Sequence, residues 1–384
     1  MRRIGLEIHG VTVNLSCNFD PLLDYLEDLL ESDVRPAWEA PLLDVTGTWR
    51  ADPIRHRLTR PPSRAKTPAF AREDSTPSFG PLVEHVPESE GFGKRMRLAD
   101  DELVWFDTHR DKDLQLRFRR RSQETLFDVD YWYHPSVKKL ARVPDYQQRK
   151  FFTLARYLVH FPIAWYLERT RGWSLVHASA VAAGDEALLI AGPGGAGKTT
   201  TCVGVMARAG VRLVTENLLF TDGQHVFPLR EPIRLTDESL ALLGEHGRGA
   251  LVPFGHGGSK HKSLFRLPDG PDDRPLRPAA LFIPRFAAHG FAVPIAPQVA
   301  TEQLWATNRL TLELNDYYWY VAALDLLWPA AGNAARQLSA LARLTAETPC
   351  YALGIDRAAG VDAVVDRVLD CVGWSLPAAG RRLS

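Results

Sequence analysis

The chain has 384 residues, 45% hydrophobic and 24% charged, which suits a globular protein with room for two or three domains. Its 46 Lys and Arg equal its 46 Asp and Glu, so the formal net charge is +0 and nothing global points to nucleic acid or an acidic membrane surface. The four cysteines, Cys17, Cys202, Cys350 and Cys371, form no C-x-x-C pair and read as buried thiols of a reducing compartment.

In chain order, Met1-Arg2-Arg3 leads into "IGLEIHGVTVNLSC", which alternates like a strand or hairpin rather than a signal peptide. "DPLLDYLEDLLES" predicts a helix with Asp20 as N-cap and Pro21 in the first turn. Residues 51–90 are rich in Pro, Arg, Ser and Glu without a period and read as a long loop. "KRMRLADDELVWFDTH", "LQLRFRRRS" and "TLFDVDYWYH" predict successive antiparallel strands, with "FRRRS" as a solvated strand face. The expected N-terminal domain is residues 1–145, small and α+β.

From Asp145 the pattern turns helical through Trp173, interrupted near Pro162. The segment 151–167 holds Arg156, His160 and Pro162, too polar for a membrane span, so the chain is read as cytoplasmic with no membrane partner. "SLVHASAVAAGDEALLIAG" predicts strand, turn at Gly184-Asp185, strand. "VRLVTENLLFTDGQHVFPL" predicts strand, turn at Asp222-Gly223, strand. "PLRPAALFIPRF" is a further strand, 301–346 are mainly helical, "PCYALGIDR" is a late strand and "AGVDAVVDRVLDCV" a closing helix. The aromatic runs Tyr131-Trp132-Tyr133 and Tyr317-Tyr318-Trp319-Tyr320 read as core.

The chemistry gathers at "LLIAGPGGAGKTTTCVGVMARAG". Gly192, Gly197, Lys198 and Thr199 satisfy G-x-x-x-x-G-K-[ST] between a buried strand and a helix. Glycines let the backbone approach an anion, and amide N–H groups at a helix N-terminus bind phosphate oxygens. The predicted nucleotide-binding set is Gly192, Gly194, Gly195, Ala196, Gly197, Lys198, Thr199 and Thr200, with Lys198 neutralising phosphate and the Thr199 hydroxyl on Mg²⁺.

The order from His177 onward resembles the catalytic domain of HPr kinase/phosphorylase and its kinase-like relatives. "VHASAVAAGDEALLIAGPGGAGKTT" places His177 fifteen residues before Gly192, the family's spacing. "ARAGVRLVTEN" is similar to the family's "RG.RL..DD" segment, with Glu216 and Asn217 where the family has two aspartates. The likeness runs over roughly 170–370 and leaves out the N-terminal half. It implies an α/β fold with a P-loop nucleotide-binding domain of HPr kinase/phosphoenolpyruvate carboxykinase type over 146–384, built on a mixed sheet. It implies ATP and Mg²⁺ as cofactors and transfer of the γ-phosphoryl group to a hydroxyl, on Ser of a peptide or small protein or on a small molecule. The N-terminal domain would then serve acceptor binding, and a homo-oligomer is an open expectation. Glu216, Lys198 and His177 become the expected catalytic residues. No hydrophobic strand ends in a Walker-B Asp, since "AALFIPRF" ends in Pro284 and Arg285.

Each residue has a second reading. Glu216 is a general base or a turn cap. His177 binds phosphate, orients the acid, or is a buried His held by the backbone. Asn217 cannot be a base. Arg230 and Arg234 suit phosphate or ion pairs, and Lys260, His261 and Lys262 in "GHGGSKHKSLFRLP" suit a closing loop or a solvated one. The rival function is a nucleotide-binding switch or scaffold that transfers nothing.

Overall fold

The computed structural model describes residues 1–51, 95–106, 108, 113–121, 124–143, 145–256, 262–267, 274–330 and 332–374. The loop expected at 51–90 lies outside them beyond residue 51. The protein is α/β, with mixed sheets and helices, divided into two compact units. Among the described residues no helix is long and apolar enough to cross a membrane. The four cysteines carry free thiols. Burial pushes the Cys350 thiol up to about 11.

One unit comprises residues 1–166 and 312–331. Its eight-stranded sheet runs in the order β3 (Val34–Arg35), β1 (Arg2–Ile8), β2 (Val11–Cys17), β4 (Leu43–Arg50), β8 (Glu124–Trp132), β7 (Leu114–Arg121), β6 (Glu102–Phe106), β5 (Arg95–Leu98). β1 and β2 are antiparallel and joined at His9 (φ 50°) and Gly10 (φ 70°), the left-handed pair that a tight hairpin requires. The first helix, Asp20–Leu30, buries Leu22, Leu23, Tyr25, Leu26, Leu29 and Leu30. Its N-cap is Phe19 rather than Asp20, and no side chain caps it. Phe19 instead stacks on Trp49 at 4.6 Å, so ring packing sets the entry of the chain.

The four strands β5 to β8 are antiparallel neighbours. Along β7, Leu114, Leu116 and Phe118 are buried, while Arg117 and Arg119 lie on the other face. That face is a ladder of ion pairs: Arg119–Asp128 at 2.6 Å, Arg117–Glu102 at 3.7 Å and Arg50–Asp130 at 2.9 Å. The arginine run is thus part of a cross-strand charge pattern.

The compact units divide the chain differently from the single cut expected near residue 145. Residues 146–166 and 312–331 belong with the N-terminal sheet. The reason is aromatic packing. Tyr317 and Tyr320 are fully buried, with Tyr320 5.3 Å from Phe118 and 5.5 Å from Phe161. The helical break near Pro162 is a π-helical turn over Arg156–His160. Proline offers no N–H to the preceding turn, and the backbone widens there.

The second unit comprises residues 167–311 and 332–384. Its sheet runs β13 (Val226–Pro228), β12 (Leu218–Thr221), β9 (Ser174–Ala183), β10 (Glu186–Ala191), β17 (Arg277–Phe286), β19 (Cys350–Ile355), β18 (Phe291–Pro294), and β11 (Arg212–Thr215) also pairs with β9. β10, β17 and β19 are parallel, whereas β9 is antiparallel to β10 and β18 to β19. A smaller sheet joins β14 (Ile233–Leu235), β16 (Ser263–Arg266) and β15 (Val252–Pro253).

Both faces of the large sheet are covered, which explains its continuous apolar strands. Val181, Leu188, Ile190, Phe282 and Leu353 pack with Cys202, Val203, Val205 and Met206 of helix Lys198–Ala209 and with Val364, Val365 and Val368 of helix Gly360–Val372. On the opposite face Val176, Ala178, Ala180, Leu189 and Leu281 pack with Ala300 and Leu304 of helix Pro297–Leu310 and with Leu341 and Leu344 of helix Asn333–Glu347. The C-terminal ends of β10, β17 and β19 share one edge of the sheet, where ligand chemistry collects in open α/β sheets.

Candidate functional site

β10 ends at Ala191, and Gly192 begins the loop that enters helix Lys198–Ala209. Gly195 (φ 79°) and Gly197 (φ 88°) are left-handed, and Gly197 is the helix N-cap. Pro193, Gly194 and Gly195 are exposed, Gly192 and Ala196 are buried, and Thr199 and Thr200 are half-buried. Gly194 has open space around its missing Cβ. At Gly192 a Cβ would sit 3.2 Å from Pro284 Cδ. The strand end where a Walker-B Asp would stand therefore supplies a proline that packs under the loop.

Gly197 is doubly constrained. Its φ suits glycine, and a Cβ would lie 2.9 Å from Ile355 Cδ1. Gly197→Ala is expected to destabilise the protein by about 1–3 kcal/mol through left-handed strain. A thermal melt indistinguishable from wild type would show that the loop relaxes freely.

The Lys198 side chain is 6% exposed and folds back over the loop. Its Nζ donates to Gly192 O at 2.9 Å and to Pro193 O at 3.1 Å. The loop carbonyls solvate the ammonium, and a bound anion would have to draw it away. Cys202, one helical turn on, is fully buried, and burial holds its thiol well above the usual range.

The Thr199 hydroxyl donates to Glu216 Oε1 at 2.8 Å. Glu216 Oε2 accepts from Arg234 Nε at 3.3 Å, in a pair whose side chains are 4% and 9% exposed. β11 and β12 run along the same side of β9, with Thr215 opposite Ala180 and Leu218 opposite His177, so Glu216-Asn217 interrupts one strand. The break is pinned. Ser179 Oγ donates to Glu216 O, and Thr215 Oγ1 donates to Leu218 O at 2.6 Å.

Asn217 Nδ2 donates to Glu231 Oε2 at 2.6 Å. Its Oδ1 lies 3.1 Å from His177 Nε2, and His177 Nδ1 lies 3.0 Å from Thr311 Oγ1. The His177 backbone N–H donates to Asn308 Oδ1 at 3.0 Å. His177 is 2% exposed with both ring nitrogens engaged. Its position suits orienting the acid turn rather than touching a phosphate.

The structure therefore brings Thr199, Glu216 and Arg234 together by direct contact, while Lys198 is turned onto the loop carbonyls. It ties His177 to Asn217 behind them. Lys260 and His261 lie outside the described residues, and Lys262 is half-buried next to β16. Glu231 was missed from the sequence, although an acid flanked by buried Leu229 and Ile233 was a usable sign. Thr311 and Asn308 left no such sign.

The chemistry of this set fits Mg²⁺ and a nucleotide phosphate. A hydroxyl and a carboxylate meet at a helix N-terminus beside an ammonium, and hard oxygen ligands with phosphate oxygens and water are the usual Mg²⁺ sphere. Exposed loop glycines leave space that side chains would fill. No family model matches the chain, and no curated protein matches it in sequence.

Proposed function

We propose that this protein is an ATP-dependent kinase of HPr kinase-like type, transferring the γ-phosphoryl group to a hydroxyl, on Ser of a peptide or small protein. The observation that carries this reading is the 2.8 Å contact between Thr199 Oγ1 and Glu216 Oε1. It brings a metal-binding hydroxyl and a carboxylate together at the mouth of a glycine loop. ATP is the phosphoryl donor and Mg²⁺ neutralises its charge.

The roles of the chain's own residues follow. The loop 192–197 offers backbone N–H groups to phosphate oxygens. Lys198 leaves Gly192 O and Pro193 O to face the anion. Thr199 Oγ1 would hold Mg²⁺ when the metal is bound, which would free Glu216 Oε1 from its hydrogen bond. Glu216 then accepts the acceptor hydroxyl proton at Oε1 while Arg234 holds Oε2. The oxygen that loses the proton bonds to the γ phosphorus, and ADP leaves.

The second reading is a nucleotide-dependent switch. It is favoured by one feature: both oxygens of Glu216 are engaged, and its neighbour Asn217 is no base. Incubation with ATP·Mg²⁺ and candidate Ser-containing peptides separates the two. A mass gain of one phosphate on a peptide supports the kinase. Tight nucleotide binding without ADP formation on any acceptor supports the switch.

The metal is expected to be required. Thr199→Val keeps the shape and removes the oxygen, and should weaken Mg²⁺-dependent nucleotide binding about 10- to 100-fold. Titration of a fluorescent nucleotide with and without EDTA reads this directly. Equal affinities in all four conditions would remove Thr199 from the metal site.

A further inference from the structure

We propose that Glu231 is a positioning residue that supplies the second carboxylate of the acid turn, with Asn217 as the bridge joining it to His177. The resemblance places an acid at position 217, and its replacement by Asn looks like lost function. The structure assigns the charge to a different position. Glu231 is 0% exposed, and its Oε2 lies 2.6 Å from Asn217 Nδ2. A carboxylate at 217 would meet that buried carboxylate at hydrogen-bond distance, an arrangement two ionised acids cannot hold.

Hydrogen-bond accounting then fixes His177. An ionised carboxylate only accepts, so the Asn217 amide nitrogen faces Glu231 and its oxygen faces His177. His177 Nε2 must therefore carry a proton. Thr311 Oγ1 is 3.0 Å from Nδ1 and also 2.7 Å from Thr307 O. Its single proton goes to one of them, and either choice leaves Nε2–H in place.

Both anchors come from one short segment. The turn after β13 delivers Glu231 to Asn217, and β14, which follows it, delivers Arg234 to Glu216. Each residue of the turn is thus held by a partner of complementary chemistry, and the Glu216 carboxylate is preorganised beside Thr199. For its effect on phosphoryl transfer the inference rests on the kinase reading. For stability and tautomer it does not.

The test is an exchange of carboxylate and amide. N217D is expected to lower Tm by about 10 °C, as a buried pair of like charges would. N217D/E231Q restores one acid and one amide and is expected to recover most of that loss, together with transfer lowered in N217D. A double variant no more stable than N217D overturns the proposal. To make the test independent of whether N217D folds, the wild-type protein is also labelled with ¹⁵N-histidine, and His177 is assigned by comparison with His177→Gln. A protonated Nε2 is expected. A His177 ring protonated on Nδ1 alone overturns the proposal whatever the variants do. Loss of transfer in the wild type, with the stability and tautomer results as expected, would count against the kinase reading and not against this one.

Discussion

Lys198→Ala is expected to lower nucleotide-dependent transfer by about 10²- to 10³-fold, the usual cost of removing one preorganised stabiliser of transition-state charge. The fold should survive. The ammonium bonds Gly192 O and Pro193 O, and Pro193 is exposed, so water can replace it. The buried stem is a separate matter, because truncation leaves space. Lys198→Met keeps the stem without the charge and isolates the electrostatic part. Calorimetric nucleotide titration, mass shift of the acceptor and a thermal melt should be run on both. Near-normal transfer in either variant would sink the assignment of the loop as the phosphate site.

Glu216→Gln is expected to reduce turnover by about 10²-fold, at the low end for a general base because positioning dominates a loose phosphoryl-transfer transition state. It should also destabilise, by up to about 3 kcal/mol, because it removes the carboxylate charge from a buried ion pair with Arg234. The two losses can be separated. Adding Arg234→Met to Glu216→Gln removes the other half of that ion pair and should recover part of the stability without restoring turnover. Glu216→Asp keeps the charge but is one methylene shorter, so it should retain part of the activity only if the turn moves. Wild-type turnover in Glu216→Gln would rule out proton transfer to this residue and leave it as a support for Thr199.

The loop and its helix were legible from the sequence because every requirement there is local. Left-handed glycines, a helix N-terminus and a Lys-Thr pair at fixed offsets need only neighbouring residues, and Gly195, Gly197, Lys198 and Thr199 stand in that geometry. Strand alternation was legible for the same reason, as in β7, where Leu114, Leu116 and Phe118 turn inward. The partners of the site were not. His177 and Thr311 are separated by 134 residues, and Asn217 and Glu231 by 14.

Residues 312–331 make the same point at the scale of a whole element. The stretch 301–346 read as mainly helical, but the membership of 312–331 in the N-terminal unit depends on Tyr317 and Tyr320 finding Phe118 and Phe161. Local backbone geometry is written in a few adjacent residues, so the sequence alone determined the strand, the glycine loop and the helix. Which carboxylate stands opposite which amide is set by strand order and register, and only the tertiary structure decided that the buried Glu231 carboxylate stands against the Asn217 amide.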